Sequence, residues 1–185
     1  MRLIAPFLAS LLISTTASAK VASADPDLAI AVINAIPDIC FWTARGHPLT
    51  AANATELLLD PLPETPPSLR ANFGNIPTWF RLKSKPENVS IGVGDRPNAC
   101  HIILADTTQT REVQDKVVTA LRAVGFAPIR EAPPLADRIY VKQAPDGYML
   151  VAIQGPLAPV QGGVGYQAVI DVNLMPKAMF EALLK

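Results

Sequence analysis

The sequence predicts an α+β domain in which a mostly antiparallel sheet carries helices on one face, preceded by an N-terminal helical hairpin. The second half of the chain contains short apolar or alternating runs separated by tight-turn residues, which is typical of antiparallel strands. One long amphipathic helix lies between two of these runs. The 185 residues are 50% hydrophobic and 17% charged. This size and composition predict one globular domain with a core large enough to fold without a metal.

The N-terminus has the pattern of a signal peptide over residues 1–19. Arg2 gives a positive start, an apolar run follows from Leu3 to Ile13, and Ala17-Ser18-Ala19 has the small-x-small form of a cleavage site. The run is shorter than the about 20 residues that a membrane-spanning helix needs. We therefore expect removal after about Ala19, a periplasmic or secreted location, and a single mature domain over 20–185 without a membrane span.

Residues 25–60 predict the helical hairpin. Its first helix places Pro26 in the first turn after Asp25, a possible N-cap. The apolar stripe of this helix consists of Leu28, Ala31, Val32, Ala35 and Ile36. Pro37 predicts a kink or a break, and Thr50 begins a second short helix that ends at Leu59. The prolines that follow predict an extended Pro-rich connector over 61–76, because each lacks an N–H and restricts the residue before it.

Residues 77–185 are predicted to hold the sheet and one long helix. The helix ends at Gly125, and Asp106 with Gln109 predicts a capping box at its start. Its apolar stripe is Val113, Val117, Ala120, Leu121 and Val124. The predicted strands are Thr78–Lys83, Val89–Val93, Cys100–Ala105, Phe126–Arg130, Arg138–Lys142, Tyr148–Ile153 and Tyr166–Val172. Pro176–Leu184 predicts a short closing helix.

Cys40 and Cys100 are the two cysteines. In an exported chain, such a pair predicts one disulfide, which would fasten the helical hairpin to the strand that begins at Cys100. In the chain-entropy model, closing a loop of this length stabilises the fold by about 4 kcal/mol. The alternative is a thiol nucleophile or metal ligand beside His101. Adjacent residues of a strand point to opposite faces, so Cys100 and His101 are not expected to converge on one ligand.

Candidate residues for chemistry are few. His47 and His101 are the only histidines, and neither belongs to an HExxH motif or a His/Asp cluster, so no metal or other cofactor is expected. Asp106 follows a strand and precedes a helix, where α/β enzymes often place working carboxylates, although a helix cap explains the same position. The Gly155–Gly165 loop lacks the Lys-Ser/Thr pair of phosphate-binding loops and is interpreted as a hairpin loop able to contact a partner.

Charge and motifs narrow the function. The chain has 16 basic and 16 acidic side chains and no cluster of Lys and Arg, so a nucleic-acid partner is not expected. The mature chain contains neither GxSxG nor Ser-x-x-Lys. We therefore expect a non-catalytic binding or inhibitory module that contacts an unknown envelope protein or component. The alternative is a small periplasmic hydrolase in which Asp106 acts as general acid or base with His101 or a carboxylate from elsewhere.

A resemblance adds to this interpretation. A Cys in an N-terminal helical segment, a later Cys that opens a strand, and the pattern Cys-x-Ile-x-x-Ala-Asp before a helix ending Leu-x-x-x-Gly-Phe resemble a loose group of short secreted alphaproteobacterial proteins of unknown function. The resemblance covers Cys40 and the stretch Cys100–Phe126. It implies a shared fold and an exported life in a Gram-negative cell, and it implies no catalytic residue.

Overall fold

A computed structural model describes residues 26–85, 87–105, 107, 109–129, 138–155 and 166–183. Its centre is one eight-stranded sheet in which every neighbouring pair is antiparallel. The strands are β1 Leu59–Leu62, β2 Thr78–Leu82, β3 Val89–Val93, β4 Ala99–Ala105, β5 Ala127–Pro128, β6 Arg138–Ala144, β7 Gly147–Gln154 and β8 Tyr166–Met175. Together with the helices, the sheet confirms the predicted α+β class.

The helices surround this sheet unevenly. They are α1 Pro26–Ala35, a π-helix Ile36–Phe41, α2 Trp42–Ala44, α3 Ala51–Ala54, α4 Pro67–Phe73, α5 Thr110–Ala123 and α6 Lys177–Leu183. The long helices α1 and α5 and the π-helix cover one face, as predicted. On the opposite face, α6 stacks Phe180 on Tyr148 with ring centroids 4.2 Å apart. None of the helices in the described ranges is long and apolar enough to cross a membrane.

The last strand of the chain lies in the middle of the sheet. The strand order is β1-β2-β3-β4-β8-β7-β6-β5, so β8 joins two halves that are each built from consecutive strands. On β4, the six residues from Ala99 to Leu104 are buried. A strand covered on both faces has this nearly continuous apolar character. The sheet is therefore complete only when the C-terminal strand has paired with both β4 and β7.

The two faces of the sheet have different cores. Cys100, Ile102 and Leu104 belong to the larger core, under α1, the π-helix and α5. Ile103 belongs to a smaller core on the opposite face, which α4 helps to cover. The smaller core consists of Leu69, Ile76, Trp79, Ile103 and Val169. This alternation confirms the prediction that Cys100 and His101 point to opposite faces of β4.

The N-terminal helical segment continues through Pro37 without a break. Helix α1, the π-helix and α2 follow one another from Pro26 to Ala44. Pro37 has no N–H, and the wider π-helical turn accommodates this loss within the helix. Cys40 in the π-helix forms the predicted disulfide with Cys100 on β4, with Cα atoms 5.3 Å apart. The second helix of the hairpin is only Ala51–Ala54, capped by Thr50, and is shorter than predicted.

The predicted Pro-rich connector over 61–76 contains regular structure. Pro61 lies in β1, where it pairs with Phe80 of β2. This strand is at the edge of the sheet, so a missing N–H on its outer side breaks no ladder bond. Pro67 begins α4, because the first position of a helix needs no N–H donor. The prediction treated proline as a bar to regular structure, whereas edge strands and helix starts tolerate it.

Helix α5 begins later than predicted. Gln109 is its N-cap and makes no side-chain cap bond, so the predicted capping box with Asp106 at the N-cap is wrong. Thr107 takes that place in part, since its Oγ1 accepts a bond from the Gln109 N–H at 3.1 Å. Gly125 has φ +88° and ends the helix as predicted. Asp106 itself, residues 1–19 of the predicted signal peptide and most of the Gly155–Gly165 loop lie outside the described residues.

Candidate functional site

A histidine and two carboxylates form a buried cluster on the smaller-core face of the sheet. The ring of His101 lies between Asp95, from the turn after β3, and Asp171 of β8. Its Nδ1 is 2.5 Å from Asp171 Oδ1 and its Nε2 is 2.8 Å from Asp95 Oδ1. His101 and Asp171 are direct cross-strand neighbours in the ladder between β4 and β8. Direct neighbours share a face, so the strand register itself brings this pair together.

Two further side chains complete the hydrogen bonding of the carboxylates. Arg96 Nε donates to Asp95 Oδ2 at 3.2 Å, and Gln154 Nε2 donates to Asp171 Oδ2 at 3.3 Å. Each carboxylate thus uses one oxygen for His101 and the other for a second donor. We call the set His101, Asp95, Asp171, Arg96 and Gln154 the ion cluster. With His101 protonated, its two positive and two negative charges cancel.

The environment of His101 favours the charged ring. Burial by itself lowers the pKa of His101, but the hydrogen bonds and negative charges of Asp171 and Asp95 outweigh burial and raise that pKa above its ordinary value. Burial raises the pKa of Asp95, but the hydrogen bond and charge of His101, together with Arg96, outweigh it and lower that pKa. Both directions describe an imidazolium held between carboxylates, with His101 only 4% exposed.

The ion cluster borders a polar cleft of about 290 Å³. General acid–base catalysis by histidine requires a ring nitrogen within reach of the substrate or nucleophile. Here both ring nitrogens of His101 are bonded to carboxylates. In the described part of the chain, the cleft is lined by Phe73, Asn75, Ile76, Asp95, Arg96, His101, Gln154, Val169 and Asp171, and none of these side chains is a hydroxyl or thiol nucleophile. The two hydrogen bonds of His101 therefore link the turn after β3, through Asp95, to β8, through Asp171.

Asp106 lies outside the described residues, and the other predicted candidates that the structure describes do not join this cluster. Cys100 is in the disulfide on the opposite face. His47 is exposed and stacks on Trp42 with ring centroids 5.0 Å apart. Within the described part of the chain, no three His, Cys, Asp or Glu side chains are grouped to hold a metal ion.

Sequence reasoning missed Asp95 and Asp171, although Asp171 left a signal. Asp171 interrupts an apolar strand that otherwise reads Ala168-Val169-Ile170 and Val172. A charged residue in the middle of a buried strand needs a partner, so its position already called for one. Asp95 follows Gly94 in a turn, where an aspartate usually bonds to its own backbone. Its distant partner was therefore not visible from the sequence.

The second concave region is an apolar pocket on the opposite face of the sheet. Its volume is about 390 Å³, and it lies between the π-helix and the C-terminal half of α5. We call it the apolar pocket. It is lined by Ile33, Ile36, Pro37, Phe41, Arg45, Val117, Ala120, Leu121, Val124, Phe126, Lys142, Gln143, Ala144, Pro145 and Met149. Phe41 and Phe126 stack with centroids 5.7 Å apart, which joins two of its walls.

The apolar stripe of α5 explains why this pocket exists. Its N-terminal part, Val113 and Val117, is fully buried, but Ala120 is partly exposed and Val124 is 55% exposed. The stripe therefore continues beyond the region that the neighbouring helices cover. The sequence predicted one apolar stripe that includes all of these residues; periodicity shows which side of a helix is apolar and does not show what covers it.

Two basic side chains are the charged groups of the apolar pocket. Lys142 Nζ donates to the backbone oxygen of Val124 at 2.7 Å and lies 6.0 Å from the centre of the Phe126 ring. Arg45 follows α2 and is exposed. Among the lining residues that the structure describes, none is Asp or Glu. The pocket therefore combines an apolar interior with positive charge.

The fold and these two regions define a disulfide-braced α+β protein with a closed ion cluster on one face and an open apolar pocket on the other. Comparison with models of protein families, with characterised proteins and with solved structures finds no match to this chain.

Proposed function

We propose that the protein is an exported, non-catalytic binding protein whose ligand site is the apolar pocket. The observation that carries this proposal is an apolar opening of about 390 Å³ beside an otherwise buried core. Small-molecule sites have volumes of about 300–1,000 Å³ and are mostly apolar with a few polar groups that orient the ligand. The apolar pocket has this size and composition. Its occupant would be an apolar or amphipathic component of the cell envelope.

Export is part of the same proposal. The Cys40–Cys100 disulfide suits an oxidising compartment, where such bonds form and persist. Residues 1–19 have the pattern of a signal peptide that is removed after about Ala19. The resemblance over Cys100–Phe126 supports a periplasmic location in a Gram-negative cell. Together these features direct the mature chain to the compartment that holds envelope components.

The two edges of the sheet are poorly suited to pairing with another protein, which favours the apolar pocket as the binding site. One edge strand, β1, has four residues and contains Pro61. The other, β5, has two residues and contains Pro128. Short edge strands that contain proline resist pairing with a strand of another chain. The sheet edges therefore have weaker support as a contact surface than the apolar pocket.

A second candidate is the small hydrolase, and the ion cluster is the observation in its favour. His101 with two carboxylates beside a cleft supplies groups that acid–base chemistry uses. The bonds to both ring nitrogens argue against it, since a catalytic ring must release one carboxylate before it can accept a proton. A hydrolase would lose its activity in His101→Gln, whereas a binding protein would keep its ligand affinity in a folded His101→Gln variant.

The test of the proposal uses the full chain, expressed with its own N-terminus and recovered from the periplasmic fraction. Binding of the neutral fluorophore N-phenyl-1-naphthylamine is titrated against the wild type, Ala120→Phe and Ala123→Phe. Ala120 lines the apolar pocket, whereas Ala123 is exposed on the same helix outside it. We expect saturable binding that Ala120→Phe weakens at least tenfold and Ala123→Phe leaves unchanged. Equal loss in both variants, or no saturable binding to the wild type, contradicts the proposal.

A further inference from the structure

We propose that the ligand of the apolar pocket is a single-chain amphipathic carboxylate, of the fatty-acid class, whose carboxylate lies between Arg45 and Lys142. This inference rests on the proposed function and adds the chemical class of the ligand. Both basic side chains line the pocket, and the rest of the lining that the structure describes is apolar except for Gln143. The chain of the ligand would replace water against Phe41, Ala120 and Val124, lining residues that are partly or largely exposed.

The charge of the pocket calls for a negative ligand group. In the described ranges, six other basic side chains pair with carboxylates of the protein, namely Arg70, Lys83, Arg96, Lys116, Arg138 and Lys177. Within the same ranges, five basic side chains have no such pair, and of these Arg45 and Lys142 are the two that line the apolar pocket. The other three are Arg81, Arg111 and Arg122. The contact of Lys142 is with the Val124 carbonyl, an uncharged acceptor. Positive charge that the protein does not neutralise, beside apolar walls, favours a bound anion.

The two cations also suit a carboxylate headgroup. A guanidinium presents a planar fork of N–H donors that matches the two oxygens of a carboxylate, and an ammonium adds a point charge from another direction. A trimethylammonium headgroup would be repelled. An alcohol would gain hydrogen bonds but no charge attraction. The positive charge of the pocket therefore favours a carboxylate headgroup over a cationic or an uncharged one.

The size of the pocket suits one alkyl chain. A volume of about 390 Å³ is near the lower end of small-molecule sites, which leaves room for one chain and one headgroup. Each methylene that leaves water for the pocket should improve the dissociation constant about fourfold. Affinity should therefore increase along the n-alkanoic acids and stop increasing once the chain fills the pocket.

The pocket wall is held by the disulfide. Cys40 lies in the same π-helix as Ile36, Pro37 and Phe41, which line the pocket. Its bond to Cys100 fixes this π-helix to β4 in the centre of the sheet. The wall therefore has a preformed position, which reduces the ordering that a ligand must bring about.

The experiment compares three ligands of equal chain length. Dodecanoate, 1-dodecanol and dodecyltrimethylammonium, each below its aggregation concentration, compete with N-phenyl-1-naphthylamine for the protein recovered from the periplasm. Equilibrium dialysis with labelled dodecanoate gives the same affinity without the fluorophore. We expect dodecanoate to bind at least tenfold more tightly than either other ligand.

Three variants locate the headgroup. Arg45→Gln and Lys142→Gln should each weaken dodecanoate binding at least fivefold and leave 1-dodecanol unchanged. Arg111→Gln is the matched control, because Arg111 is exposed on α5 and does not line the pocket. Thermal unfolding of each variant checks that it is folded.

The outcomes separate the two proposals. If the fluorophore binds to the wild type and Ala120→Phe abolishes this binding, but 1-dodecanol binds as tightly as dodecanoate, the pocket is a ligand site and only the proposed carboxylate headgroup is wrong. If Arg45→Gln and Lys142→Gln behave like Arg111→Gln, the headgroup position is wrong. If dialysis shows no saturable dodecanoate binding while the fluorophore binds, the ligand class is overturned. If neither binds, the proposed function fails as well.

Discussion

The ion cluster makes the stability of the protein depend on pH, and His101 sets the upper pH limit of the stabilisation. The pKa of His101 is raised above 6.5 in the folded protein, so folding favours the protonated ring. The resulting stabilisation is complete below about pH 6.5, the ordinary pKa of the unfolded chain, and is lost as pH rises through the folded pKa. Between those two values the free energy of unfolding should fall by at most about 1.4 kcal/mol per pH unit, because one proton is released.

Asp95 sets the lower pH limit of this stabilisation, because its pKa shifts in the opposite direction. Its pKa is lowered below 3.8 in the folded protein, so folding favours the ionised carboxylate. This stabilisation is complete above about pH 4 and is lost as pH falls through the folded pKa. The cluster should therefore contribute most between about pH 4 and pH 6.5. Within this window the ring is charged and Asp95 is ionised.

Replacing His101 by glutamine removes the charge that holds the two carboxylates. The side chains of His101, Asp95 and Asp171 are 5%, 6% and 17% exposed, so solvent screens them little. Breaking a buried ion pair by removing one partner costs about 3–5 kcal/mol. Glutamine retains one donor group for a single carboxylate, which favours the lower end of this range. We expect His101→Gln to lower the free energy of unfolding by about 3 kcal/mol at pH 6.

The assay is urea unfolding, followed by tryptophan fluorescence, at pH 5, 6, 7 and 8. The wild type should lose stability from pH 6 to pH 8, and His101→Gln should be less stable at pH 6 with a flatter profile. His47→Gln is the matched control, since it removes the only other histidine, which is exposed. A profile that stays steep in His101→Gln, or flattens in His47→Gln, would refute this reasoning.

Three further predictions concern the fold. Cys40→Ala combined with Cys100→Ala should lower the free energy of unfolding by about 4 kcal/mol in urea unfolding, because the loop closed by the disulfide is opened. Mass spectrometry of the exported wild type without reductant should detect no free thiol, and two free thiols would argue against the disulfide. Leu104→Ala, in the fully buried core, should cost about 2–5 kcal/mol by the same assay, whereas a similar loss in Val124→Ala, at the exposed mouth, would be inconsistent with the structure. Gly125→Ala should cost about 1 kcal/mol because its φ is +88°, and an unchanged melting temperature would show that this turn relaxes.

Much of the fold was predictable because its signals are local. Alternation and turn residues predicted the strands Val89–Val93 and Tyr148–Ile153; the structure has the first with the same bounds and the second one residue longer at each end, as Gly147–Gln154. The stripe on α5 and the pairing of Cys40 with Cys100 were also predictable. The strands and the helix stripe are encoded within a few neighbouring residues, and two cysteines allow only one intramolecular disulfide.

The missed features depend on contacts between distant parts of the chain. The central position of β8 follows from its pairing with both β4 and β7, and no local pattern encodes such an order. Asp171 lies 70 positions from His101, so neither residue alone predicts the cluster. The apolar pocket depends on where the cover of α5 ends, which is a property of packing. Sequence periodicity therefore predicted the elements, and the functional geometry required the structure.

The apolar pocket as a ligand site is tested most directly by methyl NMR of protein with labelled methionines. Met149 lines the pocket, whereas Met175 ends β8 and Met179 is exposed on α6, so two methionines serve as internal controls. Titration with dodecanoate should shift the Met149 methyl signal saturably and leave those of Met175 and Met179 in place. A Met149 signal that stays unmoved while dodecanoate is bound, or equal shifts at all three, would contradict the assignment of this pocket.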